Sequence, residues 1–377
     1  MKKIAIIGCG ISGLYFANKL QKEKKFDYTI FEKKSELDLN EGYGIQLSVN
    51  SIKLLNEIGF KSVDSNEKFF PKKINFFDAK SLNKICDIDI SIFNERDNKY
   101  TTIKRSNLIK FLLGNIPNEK IKNNIELKNI NYGEKTELSL SNNLVEEFDF
   151  LVVSDGAFSK TKSIILNKNT NKKFINSVAL RANIKNINCN DISLYLGSNF
   201  HFVIYPINQN KEFNFISIIR KKFKINDILN QSFFENTEFL KNLSNEIYKK
   251  TSLNLKGKLE NIKSFPVYVS EKFENYNQKN VYFVGDALFA LPPSFVQGAS
   301  QSIESSHEAF NAINNNLHNY YKKRGIKIKK VYWRSKINYF SFHLSNPFTI
   351  FFRNLILKIL VKNKSFLDIY LGRIYKD

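Results

Sequence analysis

The opening of the chain constrains its fold more than any other segment. Lys3 to Ile7 form an apolar run of strand length, and Gly8-Cys9-Gly10-Ile11-Ser12-Gly13 follows at once. Leu14, Ala17 and Leu20 then recur at helical spacing, with Tyr15 and Phe16 adding apolar bulk. A second strand, Tyr28 to Phe31, ends in Glu32, 19 residues past Gly13. Strand, glycine loop, helix, strand and acid in this order form the context in which G-x-G-x-x-G binds a dinucleotide. Gly8 allows the tight turn, Gly10 lets a diphosphate approach the backbone, and Gly13 lets helix and strand pack closely. The helix start at Ile11 and Ser12 offers unpaired N–H groups and partial positive charge to the diphosphate. Glu32, followed by Lys33, is placed to accept hydrogen bonds from ribose hydroxyls. The competing reading is an ordinary βαβ unit with a chance glycine pattern, and Glu32 argues against it.

Two later segments have the same character. Phe148 to Ser154 reads as a buried strand ending at Asp155-Gly156. Val281 to Val284 reads as another, running into Gly285-Asp286-Ala287 and then Pro292-Pro293-Ser294-Phe295-Val296-Gln297-Gly298, with a helix from Ala299 to Asn311. Both are strand ends opening onto polar loops, where ligands collect in open α/β sheets. Between them the period changes to two. Asp191–Leu196, Phe200–Tyr205 and Glu212–Ile219 alternate as antiparallel strands do. His201 and Tyr205 then share one face of a strand.

Composition mostly excludes. A chain of 377 residues predicts about two domains. Its net charge of +22 invites a nucleic-acid partner. The charge is mostly Lys, however, and is spread along a sequence rich in Asn, Ile and Phe, residues that share A/T-rich codons. No helix-turn-helix, zinc-finger or RNA-binding signature accompanies it, so no nucleic acid is expected. The densest basic stretch, Lys322 to Lys330, reads as a solvated helix face. Cys9, Cys86 and Cys189 fit neither a disulfide framework nor a zinc site and suit a reducing cytoplasm. His307, His318 and His343 lack ligand spacing, and no metal is expected. No apolar run reaches the roughly 18 residues of a membrane span, and Met1 to Gly8 reads as a strand rather than a secretion signal.

In this order, from residue 8 to about 304, the motifs resemble those of the single-component flavoprotein aromatic hydroxylases, the p-hydroxybenzoate- and salicylate-hydroxylase-like monooxygenases, with salicylate-hydroxylase-like members nearest. The resemblance implies an α/β fold: a Rossmann-type FAD-binding domain with an inserted antiparallel β-sheet substrate domain and C-terminal helices. Residues 1–73, 101–177 and 266–320 would bind FAD, 74–100 and 178–265 the substrate, and 321–377 would be helical. Gly8, Gly10, Ile11, Ser12, Gly13, Glu32 and Lys33 would hold the nucleotide end of FAD. Asp155 and Gly156 would lie near FAD and the nicotinamide cofactor, and Gly285 and Asp286 at the ribityl chain. Gln46, in the segment Gly42–Asn50, would lie beside the flavin, as would Pro293, Gly298 and Ala299, and Arg105 would help to hold it. Four positions depart from the family pattern: Phe289 for a histidine, Val296 for a small residue, Val49 for a proline and Lys162 for an arginine.

The activity implied is hydroxylation of a small aromatic ring in the cytoplasm. NAD(P)H reduces FAD, O2 adds to give a C4a-hydroperoxide, and one oxygen passes to the ring. His201 and Tyr205 would be the catalytic pair, or else a satisfied strand histidine and an ordinary half-buried aromatic. Two further readings stay open: hydroxylation of a prenylated ring, as in ubiquinone-type biosynthesis, and an FAD-binding reductase or redox protein without hydroxylase activity. In residues 346–362, Phe348, Phe351, Phe352, Leu355, Ile359 and Leu360 fall on one helical stripe, with Arg353, Lys358 and Lys362 largely off it and Pro347 in the first turn. The expectation is a helix packed on the FAD domain or on a homodimer partner. The alternative is one lying on the anionic inner face of a membrane.

Overall fold

The computed structural model describes residues 1–37, 39, 42–170, 172–274, 276 and 278–376. The chain opens as β1 (Lys2–Ile7), α1 (Ile11–Glu23) and β2 (Phe26–Glu32). β3 (Gly44–Leu47) leads into α2 (Val49–Glu57), and β4 (Lys73–Asp78) pairs with β5 (Lys84–Asp89). β6 (Thr101–Lys104) runs straight into α3 (Arg105–Gly114), followed by β7 (Ile121–Asn123). A three-stranded antiparallel meander, β8 (Leu127–Tyr132), β9 (Thr136–Leu140) and β10 (Val145–Phe148), precedes β11 (Phe150–Val153) and α4 (Lys160–Leu166). Next come β12 (Lys173–Ile184), β13 (Ile192–Gly197), β14 (Phe200–Pro206), β15 (Phe213–Arg220), α5 (Thr237–Lys250), β16 (Leu259–Val269) and β17 (Val281–Phe283). The long helices α6 (Gly298–Asn314), α7 (Tyr320–Phe342) and α8 (Pro347–Leu360) follow.

Five strands form a parallel sheet in the order β17-β11-β1-β2-β7. Parallel sheets need cover on both faces, and the sequence of β1 supplies it. Ile4 and Ile6 point into a core with Leu14, Phe16 and Leu20 of α1 and Ile303 and Phe310 of α6. Ala5 and Ile7 point the other way, against Phe148, Leu151 and Val153. Each fully buried Ile, Leu or Phe contributes about 1.5–3 kcal/mol. The run Phe148 to Ser154 is not one strand. It breaks at Asp149, whose carboxylate accepts the Lys3 N–H at 2.7 Å while its own N–H donates to the Lys3 carbonyl at 2.9 Å. That exchange moves the chain from the meander to the parallel sheet.

The second large sheet has the order β16-β12-β15-β14-β13-β4-β5. It is mixed rather than wholly antiparallel. β4 comes from an earlier stretch and lies parallel to β13, with Ile74 opposite Ile192. β12 and β16 extend to Lys173 and Val269, so both run through the domain limits expected at 177/178 and 265/266. The stretch Lys322 to Lys330 is not uniformly solvated either. Arg324 is fully buried, held by Glu304 at 3.2 Å, Glu308 at 3.1 Å and Gln301 at 2.6 Å on α6, and Ile328 is buried beside it. The two carboxylates explain why this one cation turns inward.

The C-terminal stripe does not pack on the nucleotide-binding part of the molecule. α8 lies along β5 with Arg353 turned inward, 7% exposed, while Phe348, Phe351 and Ile359 face out at 70%, 63% and 60%. Beyond it, Leu367, Leu371, Ile374 and Tyr375 return to the core near Phe93 and Tyr100. Among the described residues no helix is long and apolar enough to cross a membrane.

Candidate active site

The ends of β1, β2 and β11 form a groove of about 380 Å³, lined among others by Gly8, Gly10, Glu32, Lys33, Arg105, Asp155 and Gly156. Backbone sets its shape. Gly8 has φ +102°, and a Cβ there would lie 2.7 Å from the Ser154 carbonyl oxygen. A Cβ on Gly13 would collide with the carbonyl oxygen of Gly8, so these two positions hold loop, helix and strand together. Gly10 differs, because nothing lies within 4 Å of where its Cβ would stand. It also caps α1 without a side chain, leaving the helix N-terminus open. Glu32 accepts N–H bonds from Cys9 at 2.8 Å and Lys34 at 3.0 Å. A carboxylate has about four acceptor positions, so capacity remains for a ribose. Burial and the Glu32 charge push the Cys9 thiol up to about 12, which makes it inert at neutral pH.

Asp155 accepts the Thr161 N–H at 3.3 Å through one oxygen, while the other is buried and has no partner. Burial raises its pKa. The Gly285-Asp286 turn lies beside the glycine loop, since Gly285 has φ +60° and a Cβ there would meet Ser12 Oγ at 2.6 Å. Ile11, Ser12 and Gly13 thus stand behind the groove wall, and Gly285 on its far side. Burial raises the Asp286 carboxyl to about 6, with Lys172 opposing the shift.

A second cavity, of about 720 Å³, runs from Asp286, Gly298 and Ala299 past Gln46 and Pro293 to α8. His201, Val203 and Tyr205 of β14 all line it, as their shared strand face predicts. The 18 predicted residues therefore do not form one cluster: seven line the groove, seven line the cavity, and Ile11, Ser12, Gly13 and Gly285 line neither. Tyr205 is buried, and burial holds its phenol protonated. His201 Nδ1 lies 3.0 Å from His343 Nε2, and His343 Nδ1 lies 2.6 Å from the Tyr339 carbonyl oxygen. His343 Nε2 also lies 3.3 Å from the Ile218 carbonyl oxygen; the much shorter Tyr339 contact favours the proton on Nδ1, and Nε2 then accepts from His201 Nδ1. Burial lowers the His201 pKa far and that of His343 to about 4, so both rings are neutral and His201 Nε2 is left as an acceptor.

In the sequence His343 is one of the histidines without ligand spacing. It sits 142 residues from His201 at the end of α7, and no local pattern joins the two. Lys172 likewise stands in no motif of the sequence. Its Nζ donates to Ser270 Oγ at 2.8 Å and its charge acts on Asp286.

Comparison with known proteins begins at the groove, where an NAD(P)-binding Rossmann-like domain family matches residues 6–38. The monooxygenase asqM of Emericella nidulans is 27% identical over 182 residues, a match spanning 44% of this chain and only 40% of the length of asqM. Among solved structures, Klebsiella pneumoniae HpxO complexed with FAD and uric acid superposes with a TM-score of 0.83 at 15% identity, covering 100% of this chain and 96% of HpxO. A salicylate hydroxylase substrate complex superposes with a TM-score of 0.74 at 16% identity, covering 100% of this chain and 97% of the other. The chain has the flavin-hydroxylase fold. Within that fold its departures are local. Phe289 is a core aromatic stacked near Phe273 and edge-on to Tyr332. Lys162 is buried, its Nζ donating to the Leu288 carbonyl at 3.1 Å, and burial lowers it to about 7. Val296 adopts φ +53°, which a β-branched residue rarely does.

Proposed function

We propose that the chain is an FAD-dependent monooxygenase that hydroxylates an aromatic ring using NAD(P)H and O2. The observation that carries this reading is the pairing of an open glycine groove with a separate, mostly apolar cavity, whose Asp286 end follows directly on Gly285, packed against Ser12 of the glycine loop. The residues present fit FAD: Gly10 faces open space, the α1 N-terminus is uncapped, and one buried oxygen of Asp155 awaits a donor. Gly8, Gly10, Ile11, Ser12 and Gly13 would hold the diphosphate, and Glu32 with Lys33 the adenosine ribose. Arg105, Asp155 and Gly156 would hold the middle of the molecule, and Gln46, Gly285, Asp286, Pro293, Gly298 and Ala299 its cavity end. When bound, FAD supplies O2 activation and oxygen transfer, with one oxygen atom entering the ring and the other leaving as water.

The chain's own residues would do the rest. His201 Nε2 accepts the hydrogen bond of a ring hydroxyl and draws electron density toward the ring. Tyr205, kept protonated, is a second polar group on the same strand face. The apolar wall around them keeps water from the reacting atoms. Residues 74–100 and 178–265 act as the substrate domain and supply one side of this wall, α7 and α8 supplying much of the other, and the enzyme works in the cytoplasm. The test is to purify the protein, record its visible spectrum and follow NADH and NADPH oxidation in air against phenols and hydroxybenzoates. A yellow protein whose oxidation rate rises with one aromatic, giving a product one oxygen heavier, is the expected result. A colourless protein that cannot be reconstituted with FAD overturns the reading.

A further inference from the structure

Surface helices turn their apolar stripe inward and their charges out. α8 departs from this at Arg353 and along its outer face. Arg353 is buried, donating to the Ser341 carbonyl and to Asn354 Oδ1, while Phe348, Phe351, Phe352, Leu355, Ile356 and Ile359 are exposed. Ile337 of α7 lines the same cavity as Phe348, Phe352 and Ile356, and Trp333 and Phe340, one helical turn to either side of it, are like it more than half exposed. Single exposed apolar residues are ordinary, but a contiguous patch of large ones marks a surface that meets something.

Charge decides what it meets. Residues 329–364 contain eight Lys or Arg and no Asp or Glu. Lys336, Lys358, Lys362 and Lys364 are exposed around the apolar face, and Lys336 Nζ sits 5.1 Å from the Trp333 ring. A second copy of this chain would set two such positive rims against each other. An anionic phospholipid surface would instead complement the rim, accept the apolar stripe and seat Trp333 at the headgroup level.

The patch is also the mouth of the cavity. Ile337 of α7 and Phe348, Phe352 and Ile356 of α8 line its outer end, and His201 and Tyr205 its inner part. Between these ends the wall is largely apolar, including Phe342, Leu357 and Leu360. A bare polar ring gains nothing from that stretch, whereas an alkyl or isoprenoid chain does. We propose that the α7–α8 face docks on an anionic phospholipid bilayer, and that the ring substrate carries a long apolar chain and enters from the lipid through this mouth. The second half rests on the hydroxylase reading, and the first does not.

The test uses the full chain with phosphatidylcholine vesicles, with and without phosphatidylglycerol, and the double variant Phe351→Asp/Ile359→Asp. Both positions are exposed and neither lines the cavity, so folding and flavin content are expected to stay as in the wild type. Wild type is expected to sediment with the phosphatidylglycerol vesicles, to be partly released by salt, and to lose binding about tenfold in the variant. With FAD loaded, KM for a series of 4-alkylphenols in the presence of vesicles is expected to fall as the chain lengthens. Docking is overturned by no sedimentation, by sedimentation indifferent to the variant, or by a soluble dimer that the variant separates. A KM flat across the series overturns the substrate class. A colourless protein that still sediments sinks the hydroxylase reading while supporting the docking.

Discussion

The groove and the cavity lie side by side and are built differently. In the groove, the Gly8 and Gly13 backbone, the α1 N-terminus and the carboxylates of Glu32 and Asp155 set the shape within short stretches of sequence. In the cavity, side chains from β3, β14, β15, the loop before α6, and α7 and α8 meet across long sequence separations. Backbone constraint leaves few tolerable residues, so a groove of this kind demands glycine where a Cβ collides. A wall of packed side chains accepts many apolar sets of similar volume. The first kind of site therefore changes slowly in shape, and the second is free to follow its substrate.

Alanine at the loop glycines tests that contrast most severely. Gly13→Ala puts a Cβ into the Gly8 carbonyl and is expected to destabilise the protein by about 3 kcal/mol, the upper end of overpacking costs, and to abolish FAD retention. Gly10→Ala meets nothing in the protein. It is expected to unfold in urea at the wild-type midpoint while still losing bound flavin, measured by absorbance after gel filtration. Equal destabilisation by both would break the distinction between glycines that serve packing and those that serve the ligand.

On the cavity side the largest effect comes from pH. The folded pKa of His343 is about 4 against an ordinary 6.5, so below pH 6.5 the unfolded chain binds more protons than the folded one. Stability is therefore complete above pH 6.5 and falls on acidification, by about 3 kcal/mol on reaching pH 4. Burial of His201 works in the same direction. His343→Phe is expected to cost about 1–3 kcal/mol at pH 7, because the His201 N–H loses its acceptor, and to flatten the acid limb of urea midpoints relative to wild type. An unchanged limb would mean that the imidazole pair is not neutral.

Asp286 runs the other way. Its folded pKa of about 6 lies above the ordinary 3.8, so its buried charge destabilises the protein above pH 6, and the penalty vanishes below 3.8. Asp286→Asn is expected to stabilise the protein by about 2–3 kcal/mol at pH 7 and by nothing at pH 3.5, the flavin-free form being compared at both. It is also expected to weaken FAD retention. Stabilisation that persists at low pH would place its origin outside the carboxylate.

The same difference governs what the sequence reveals. The glycine loop, the Glu32 strand end and the two later strand–loop junctions are local, with period and spacing written into adjacent residues, and the structure places them around one sheet. The alternation through Phe200–Pro206 correctly puts His201 and Tyr205 on one face. What escaped depends on tertiary partners. Asp149 looks like part of a strand until Lys3 stands opposite it. The parallel pairing of β4 with β13 joins segments more than a hundred residues apart. The stripe on α8 is legible as a stripe, but its outward direction follows from Arg353 finding the Ser341 carbonyl and Asn354 beneath it.

Val296 offers the smallest effect and tests whether backbone conformation also shapes part of the cavity, since it lies in the loop joining the Asp286 end of the cavity to α6. Its φ of +53° belongs to the left-handed region, where a Cβ crowds the following carbonyl. The loop holds this conformation through the Val296 N–H, which donates to the Pro293 carbonyl at 3.0 Å. The side chain lines the cavity but is 39% exposed, so it recovers only part of the benefit of burying a valine. Val296→Gly relieves about 1–2 kcal/mol of backbone strain and gives back some of that to the greater freedom of glycine in the unfolded chain. The net expectation is a gain of about 0.5–1 kcal/mol in urea unfolding with flavin binding retained. If the variant is instead destabilised, the Val296 side chain holds the loop more firmly than its backbone strains it, and this part of the cavity, like the rest, is set by side-chain packing.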